Sequence, residues 1–289
     1  MKKLILALTV IIMSLMLISC GSEDKISSVE DMAKIDGVTS VKKNEEKSGE
    51  GCLVYNISFV SEGLKLNAQM ALPENYKSES YRTVLYFSEL GLDYDLLKYG
   101  YAKEGVIVVR FSARGYDGNE GTKDLCGEDV KDVLKLFDII NSCDFIKRGG
   151  IVTAGSSEGS MKALKLASER SDKLLGCAVI NVISELQALI DARGEQIKEY
   201  NKYIIGGTYD EMPEEYDKRS AVYFADKIDV PVLILIYKDH PLLPEEQGIM
   251  LVEAIKDAGG DSEVRYINKV GTDFMGKSLE YLISWTKSA

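Results

Sequence analysis

A single histidine, His240, is all that this 289-residue sequence contains, and the scarcity excludes every mechanism that needs two imidazoles. Positive charge is also short. The chain sets 35 Lys and Arg against 46 Asp and Glu, a net charge of −11 with no basic patch. A nucleic-acid partner needs concentrated positive charge and is not expected. Helical spans of about 20 apolar residues, as a bilayer requires, are missing as well; the run from Leu4 to Ile18 is 15 residues long. Internal repeats and low-complexity tracts are absent. What remains is 45% hydrophobic and 28% charged, a globular composition that can bury a large core.

Lys2 and Lys3 ahead of that short apolar run mark residues 1–19 as a signal peptide. Its end, Leu17-Ile18-Ser19-Cys20-Gly21, resembles the bacterial lipobox. There the cysteine is acylated and the chain is cut before it, so Cys20 becomes the first mature residue. The expectation is an extracytoplasmic protein held to the bacterial cell membrane by its N-terminal lipid. Residues 20–50 are small and charged and read as a tether with room for one short helix, leaving 51–289 as the folded domain. Cys52, Cys126, Cys143 and Cys177 have no C-x-x-C spacing and no neighbouring histidine, so no metal site is expected, and no organic cofactor either. Their even number in an exported chain allows two disulfides; four buried thiols are the equal alternative.

From Leu64 to Leu72 apolar residues alternate with Lys65, Asn67 and Gln69, which predicts a half-buried strand; Cys52 to Val60 precedes it as another. Further on, short apolar runs at Thr83–Phe87, Val106–Phe111, Ile151–Ala154, Cys177–Asn181 and Val232–Tyr237, with Glu263–Ile267 last, alternate with helical segments. The clearest of these helices are Glu128–Asn141, Ser160–Glu169, Glu245–Ala258 and Lys277–Lys287. That alternation predicts an α/β fold with a mostly parallel sheet covered on both faces.

One strand runs directly into Gly155-Ser156-Ser157-Glu158-Gly159 and then into a helix. A strand, G-x-S-x-G and a helix in that order form a nucleophile elbow, which makes Ser157 the candidate nucleophile. The glycines keep side chains away from a sharp, strained turn, and the helix N-terminus favours developing negative charge. The Glu158 backbone N–H is then a candidate oxyanion donor, and its side chain, facing the cleft, is expected to discourage anionic ligands.

Three stretches of residues 52–289 resemble the α/β-hydrolase fold and, within it, the catalytic domain of the prolyl oligopeptidase family. They are Val109-Arg-Phe-Ser-Ala-Arg114-Gly115 through Gly121, the elbow itself, and Ile205-Gly206-Gly207 with Pro213-Glu214-Glu215-Tyr216 through Pro231 to Ile236. The resemblance implies a serine hydrolase acting on a small ester or peptide. It also exposes three departures. Where the family places its catalytic aspartate this chain has His240, with Asp239 one position early. Where the family has Gly-His-x-Phe, this chain reads Gly271-Thr272-Asp273-Phe274. Where relatives carry His-Gly-Gly, this chain has Ser88-Glu89-Leu90-Gly91, which leaves Ser88 as the candidate second oxyanion donor.

Serine is a poor nucleophile without a neighbouring base. In this fold the base stands between serine and acid, so a histidine in the acid's slot reaches Ser157 only if its loop moves inward. Two readings follow. One is a membrane-anchored hydrolase homologue with a degenerate triad that binds an ester-like or peptide ligand. The other is an active serine hydrolase that uses Ser157 with a rearranged His240 or with Asp273; Lys238 or Lys269 as base is a remote third. Arg114 is expected to form a structural ion pair.

Overall fold

The computed structural model describes residues 25–49, 51–88, 101–238, 240–267 and 274–288. Nine strands form one sheet: β1 Val38–Lys43, β2 Cys52–Ser61, β3 Leu64–Pro73, β4 Tyr81–Phe87, β5 Ile107–Phe111, β6 Ile146–Ser157, β7 Leu174–Val182, β8 Val232–Tyr237 and β9 Ser262–Ile267. Their order is β1-β2-β3-β5-β4-β6-β7-β8-β9. The first three and the β3–β5 pair are antiparallel; from β5 across to β9 every pair is parallel. The helices are α1 Val130–Asn141, α2 Glu158–Arg170, α3 Leu186–Arg193, α4 Glu195–Ile205, α5 Pro213–Asp217, α6 Glu246–Asp257 and α7 Phe274–Ser288.

The apolar strands β4 to β8 are buried on both faces, as a parallel sheet between helices requires, while the edge strand β9 is half-exposed. Within each strand, alternate residues sort to opposite sides. Leu85, Phe87, Val109, Val179, Ile234 and Ile236 join one core, which α1 covers with Val133, Leu136 and Ile140 and α6 with Leu251 and Ile255. Val84, Tyr86, Val108, Ala178, Leu233 and Leu235 join the other, covered by Leu279 and Leu282 of α7. In β3 the predicted alternation holds, with Leu66, Ala68 and Met70 buried and Asn67 and Gln69 half-buried.

One boundary needs correction. Residues 20–50 are not a tether from Ile26 onward: Ile26, Val29 and Met32 are buried in the main core, and β1 pairs with β2 from Val38↔Phe59 to Lys43↔Tyr55. Glu30, Lys34, Asp36, Lys42 and Lys43 among them are exposed, so charge lowers the mean hydropathy of the segment while its apolar residues still pack. All four described cysteines are free and buried, so no disulfide forms among them; burial pushes the Cys126 and Cys143 thiols up to about 12. Residues 1–19 and Cys20 lie outside the described residues. No described helix is long and apolar enough to cross a membrane.

Candidate active site

The carboxyl ends of β4, β6, β7 and β8 converge on one side of the sheet, the place where open α/β sheets bind ligands. There β6 passes into α2 with no residue between Ser157 and Glu158. Ser157 has φ 51° and ψ −125°, a strained conformation for a residue with a side chain. The register of β6 on β7 shifts between Ser156 and Ser157, so that Ser156 pairs with Ile180 and Ser157 with Val182. The glycines of the motif are needed for close approach. A Cβ on Gly155 would stand 2.2 Å from the Gly159 carbonyl oxygen, and one on Gly159 would stand 2.2 Å from that of Phe87. Ser160 Oγ donates to the Ser157 carbonyl and accepts from the Ile183 N–H at 3.1 Å, which pins the elbow to the end of β7.

A cavity of about 530 Å³ opens above this turn. Ser88, Ser157, Glu158 and His240 all border it, so the structure brings together the described sequence candidates. Asp239 and Asp273, and Thr272 with them, fall outside the described residues. Ser88 differs from the expectation in detail: its backbone N–H is directed at the Phe111 carbonyl, 3.4 Å away, so this amide serves the β4–β5 junction. Glu158 opens α2, where first-turn N–H groups have no carbonyl one turn behind them, a suitable origin for an oxyanion donor.

The Glu158 carboxylate does not present bare charge to the cleft, because it is held between two residues. One oxygen accepts from the Tyr200 hydroxyl at 2.9 Å and the other pairs with Lys123. The Lys123 ammonium in turn sits 5.5 Å and 5.3 Å from the Tyr116 and Tyr200 ring centroids. Burial and the Glu158 charge push the Tyr200 phenol up to about 12, so it stays a donor. Arg114 forms the structural pair expected of it, with Asp132 of α1 at 2.6 Å and 3.0 Å; the Asp132 side chain is 1% exposed.

His240 follows β8 and makes a local turn. Its Nδ1 accepts from the backbone N–H of Leu242 at 3.2 Å and of Leu243 at 2.9 Å. Two donors on Nδ1 fix the lone pair there, so the neutral ring carries its proton on Nε2. Burial, then the positive charge of Arg193, lowers the imidazole pKa and keeps that neutral form. Arg193 also donates to the Pro241 carbonyl at 2.5 Å, tying the end of α3 to the same loop. No hydrogen bond joins His240 to Ser157 among the described residues. Nor does any group of three or more His, Cys, Asp or Glu among them stand where it could hold a metal ion.

Sequence reading missed Lys123, Arg193, Tyr200 and Asn201, all of which border the cavity. Part of the wall had a signal: Leu186 with Leu189 on α3 and Ile197 with Tyr200 on α4 keep the three-residue spacing of an amphipathic helix. The polar residues had none, because only folding brings Lys123 to Glu158.

The Peptidase_S9 model, of the prolyl oligopeptidase family, matches residues 93–278. The chain is 24% identical over 243 residues to the uncharacterized peptidase YtmA of Bacillus subtilis (strain 168), covering 81% of this chain and 93% of that one. Among solved structures it is similar to an acetyl xylan esterase from Paenibacillus sp. R4, with TM-score 0.69 and 13% identity over 88% of this chain and 90% of that one. It is also similar to the Pyrococcus horikoshii acylaminoacyl peptidase, with TM-score 0.67 and 18% identity, where 84% of this chain matches 42% of the other.

Proposed function

The chain belongs to the prolyl oligopeptidase family of serine-hydrolase-like proteins, and from that premise we propose that it is a ligand-binding member whose elbow serine lacks its base. One observation carries the reading. The single histidine of the sequence commits Nδ1 to Leu242 and Leu243 and so offers an N–H, not a lone pair, from its other nitrogen. A group without a free lone pair cannot take the Ser157 proton. Loss of the base from a serine triad costs about 10⁶ in turnover, while the oxyanion hole and binding groups alone retain roughly 10³ to 10⁴ over water. The protein therefore holds a small ester-like or peptide ligand in the cavity over Ser157 and turns it over very slowly.

An active esterase or peptidase is the second reading, and the conformation of Ser157 favours it. A φ of 51° is costly, and strain of that kind gathers at working sites. A fluorophosphonate probe separates the two. On the proposed reading the purified protein is not labelled and Ser157→Ala leaves its stability unchanged. Stoichiometric labelling that disappears in Ser157→Ala overturns it.

We also propose that the domain is exported and tethered by a lipid on Cys20, supported by the Lys2-Lys3 and Leu17-to-Gly21 pattern. Cys20→Ser should move the protein from the membrane fraction to the soluble one. Retention in the membrane fraction rejects the tether.

A further inference from the structure

Much of the polar lining of the cavity comes from strand ends: Ser88 follows β4, Ser156 and Ser157 close β6, Asn181 is next to last in β7, and Tyr237 ends β8. Much of the apolar lining comes from Leu186 and Leu189 of α3 and Ile197 of α4. A ligand that fits both is amphipathic, polar near Ser157 and hydrocarbon beyond it.

Asn181 differs from its polar neighbours in how it is held. With Ser156 on Ile180 and Ser157 on Val182, it is the extra residue of a β-bulge, a device that re-aims a side chain beside an active site. Its φ of 45° is left-handed, a region that asparagine tolerates better than most residues and glycine better still. Glycine would satisfy the backbone; asparagine adds an amide, and that amide is oriented. Oδ1 accepts from the Tyr237 N–H at 2.9 Å, which leaves Nδ2 at the other edge, where it donates no hydrogen bond among the described residues. The residue is half-buried, not sealed from the cavity it borders.

The acceptors around it are already in use. Asn181 Oδ1 serves Tyr237, His240 Nδ1 serves Leu242 and Leu243, the Glu158 carboxylate holds Tyr200 and Lys123, and the Tyr237 hydroxyl shares a hydrogen bond with Ser278. Two N–H groups remain on offer, Asn181 Nδ2 and the Nε2–H of the neutral His240 ring. Charge points the same way. Lys123 and Glu158 cancel, whereas the partner of Arg193 is the neutral Pro241 carbonyl, so the described lining is positive by one charge.

Resting on the reading of this cavity as a ligand site, we propose that Asn181 is a binding residue whose Nδ2 donates to a carboxylate oxygen of a ligand with a hydrocarbon tail. The class is an alkyl or aralkyl monocarboxylate, the kind of acid that cleavage of an ester or amide releases. Its two oxygens match the two N–H groups, its charge balances Arg193, and its tail lies against α3 and α4.

Two probes that cannot turn over test this: 4-phenylbutanoate and its neutral amide, 4-phenylbutanamide, titrated at pH 7.5 into the full domain by ligand-observed NMR. The wild type binds the carboxylate more tightly. Asn181→Gly, which suits the left-handed backbone, weakens the carboxylate about tenfold, near the low end for a hydrogen bond to a charged group. Asn181→Asp keeps an acceptor for the Tyr237 N–H but sets negative charge against the ligand, so the preference reverses toward the amide. A merely structural role for Asn181 would not give that reversal. If Asn181→Asp keeps the wild-type preference for the carboxylate, the role of Asn181 is overturned and the cavity remains a ligand site. Amide binding as tight as carboxylate binding in the wild type overturns the carboxylate class. If neither probe binds, the cavity reading and this inference fall together.

Discussion

The two sides of the cleft are built to different standards. On the serine side, backbone meets backbone: neither Gly155 nor Gly159 has room for a Cβ, and Ser160 ties the turn to β7. On the opposite side, the loop after β8 spends its histidine on two backbone amides of its own turn. The elbow is fixed by packing, which persists whether or not chemistry occurs. The base is fixed only by chemistry, so its side of the cleft can drift toward local turn formation. A nucleophile elbow is thus a statement about how a strand enters a helix, and a triad is a separate statement.

The sharpest way to break this contrast is to overfill the elbow. Gly159→Ala drives a methyl into the Phe87 carbonyl, where no flexible side chain can yield. It should cost about 3 kcal/mol or more, near the upper end for overpacked sites, and lower the melting temperature by roughly 10 °C for a domain of this size. Calorimetry of the variant measures both. A loss below about 1 kcal/mol would mean that the turn is far more plastic than its contacts imply.

Rebuilding the other side is the next largest effect. If Ser157 is correctly placed and only the base is missing, Thr272→His with His240→Asp should raise p-nitrophenyl acetate hydrolysis by about 100-fold, the low end of what a positioned base contributes. Ser157→Ala in that background should remove the gain. No gain from a folded double variant would mean that the elbow, too, has lost its catalytic geometry.

How much of this was legible beforehand follows the same division. Strands with long apolar runs and the G-x-S-x-G turn were readable because each is a local pattern whose physics, burial on two faces or close backbone approach, acts within a few residues. The segment from Ile26 to Lys43 was not, because its few apolar residues are spaced among charges and find partners only through β2 and the main core. The Lys123–Glu158 pair was invisible for the same reason: 35 positions separate the residues, and their encounter depends on where β6 and the loop after β5 end. His240 illustrates a subtler limit. Its position after β8 was clear, yet its availability as a base rests on which nitrogen meets the Leu242 and Leu243 amides.

The smallest expected effect tests that last point through pH. Burial and Arg193 hold the His240 pKa below its ordinary value of about 6.5 in the folded protein. The unfolded chain therefore takes up a proton at a pH where the folded one still resists it. Stability from this group is complete above about pH 6.5 and declines as pH falls from there toward the lower folded pKa. The structural cause is direct, since protonating Nδ1 would turn an acceptor into a donor facing two N–H groups. Urea unfolding of the wild type and of His240→Ala at pH 7.5 and pH 5.5 isolates the contribution from the carboxylates, which titrate alike in both. The wild type should be more stable by about 1 kcal/mol at the higher pH, the worth of a typical intramolecular hydrogen bond, and the margin should shrink at the lower. A margin that grows on acidification would mean that the imidazole is better placed to hold a proton than to accept from its turn, and the serine side of the cleft would regain a candidate partner.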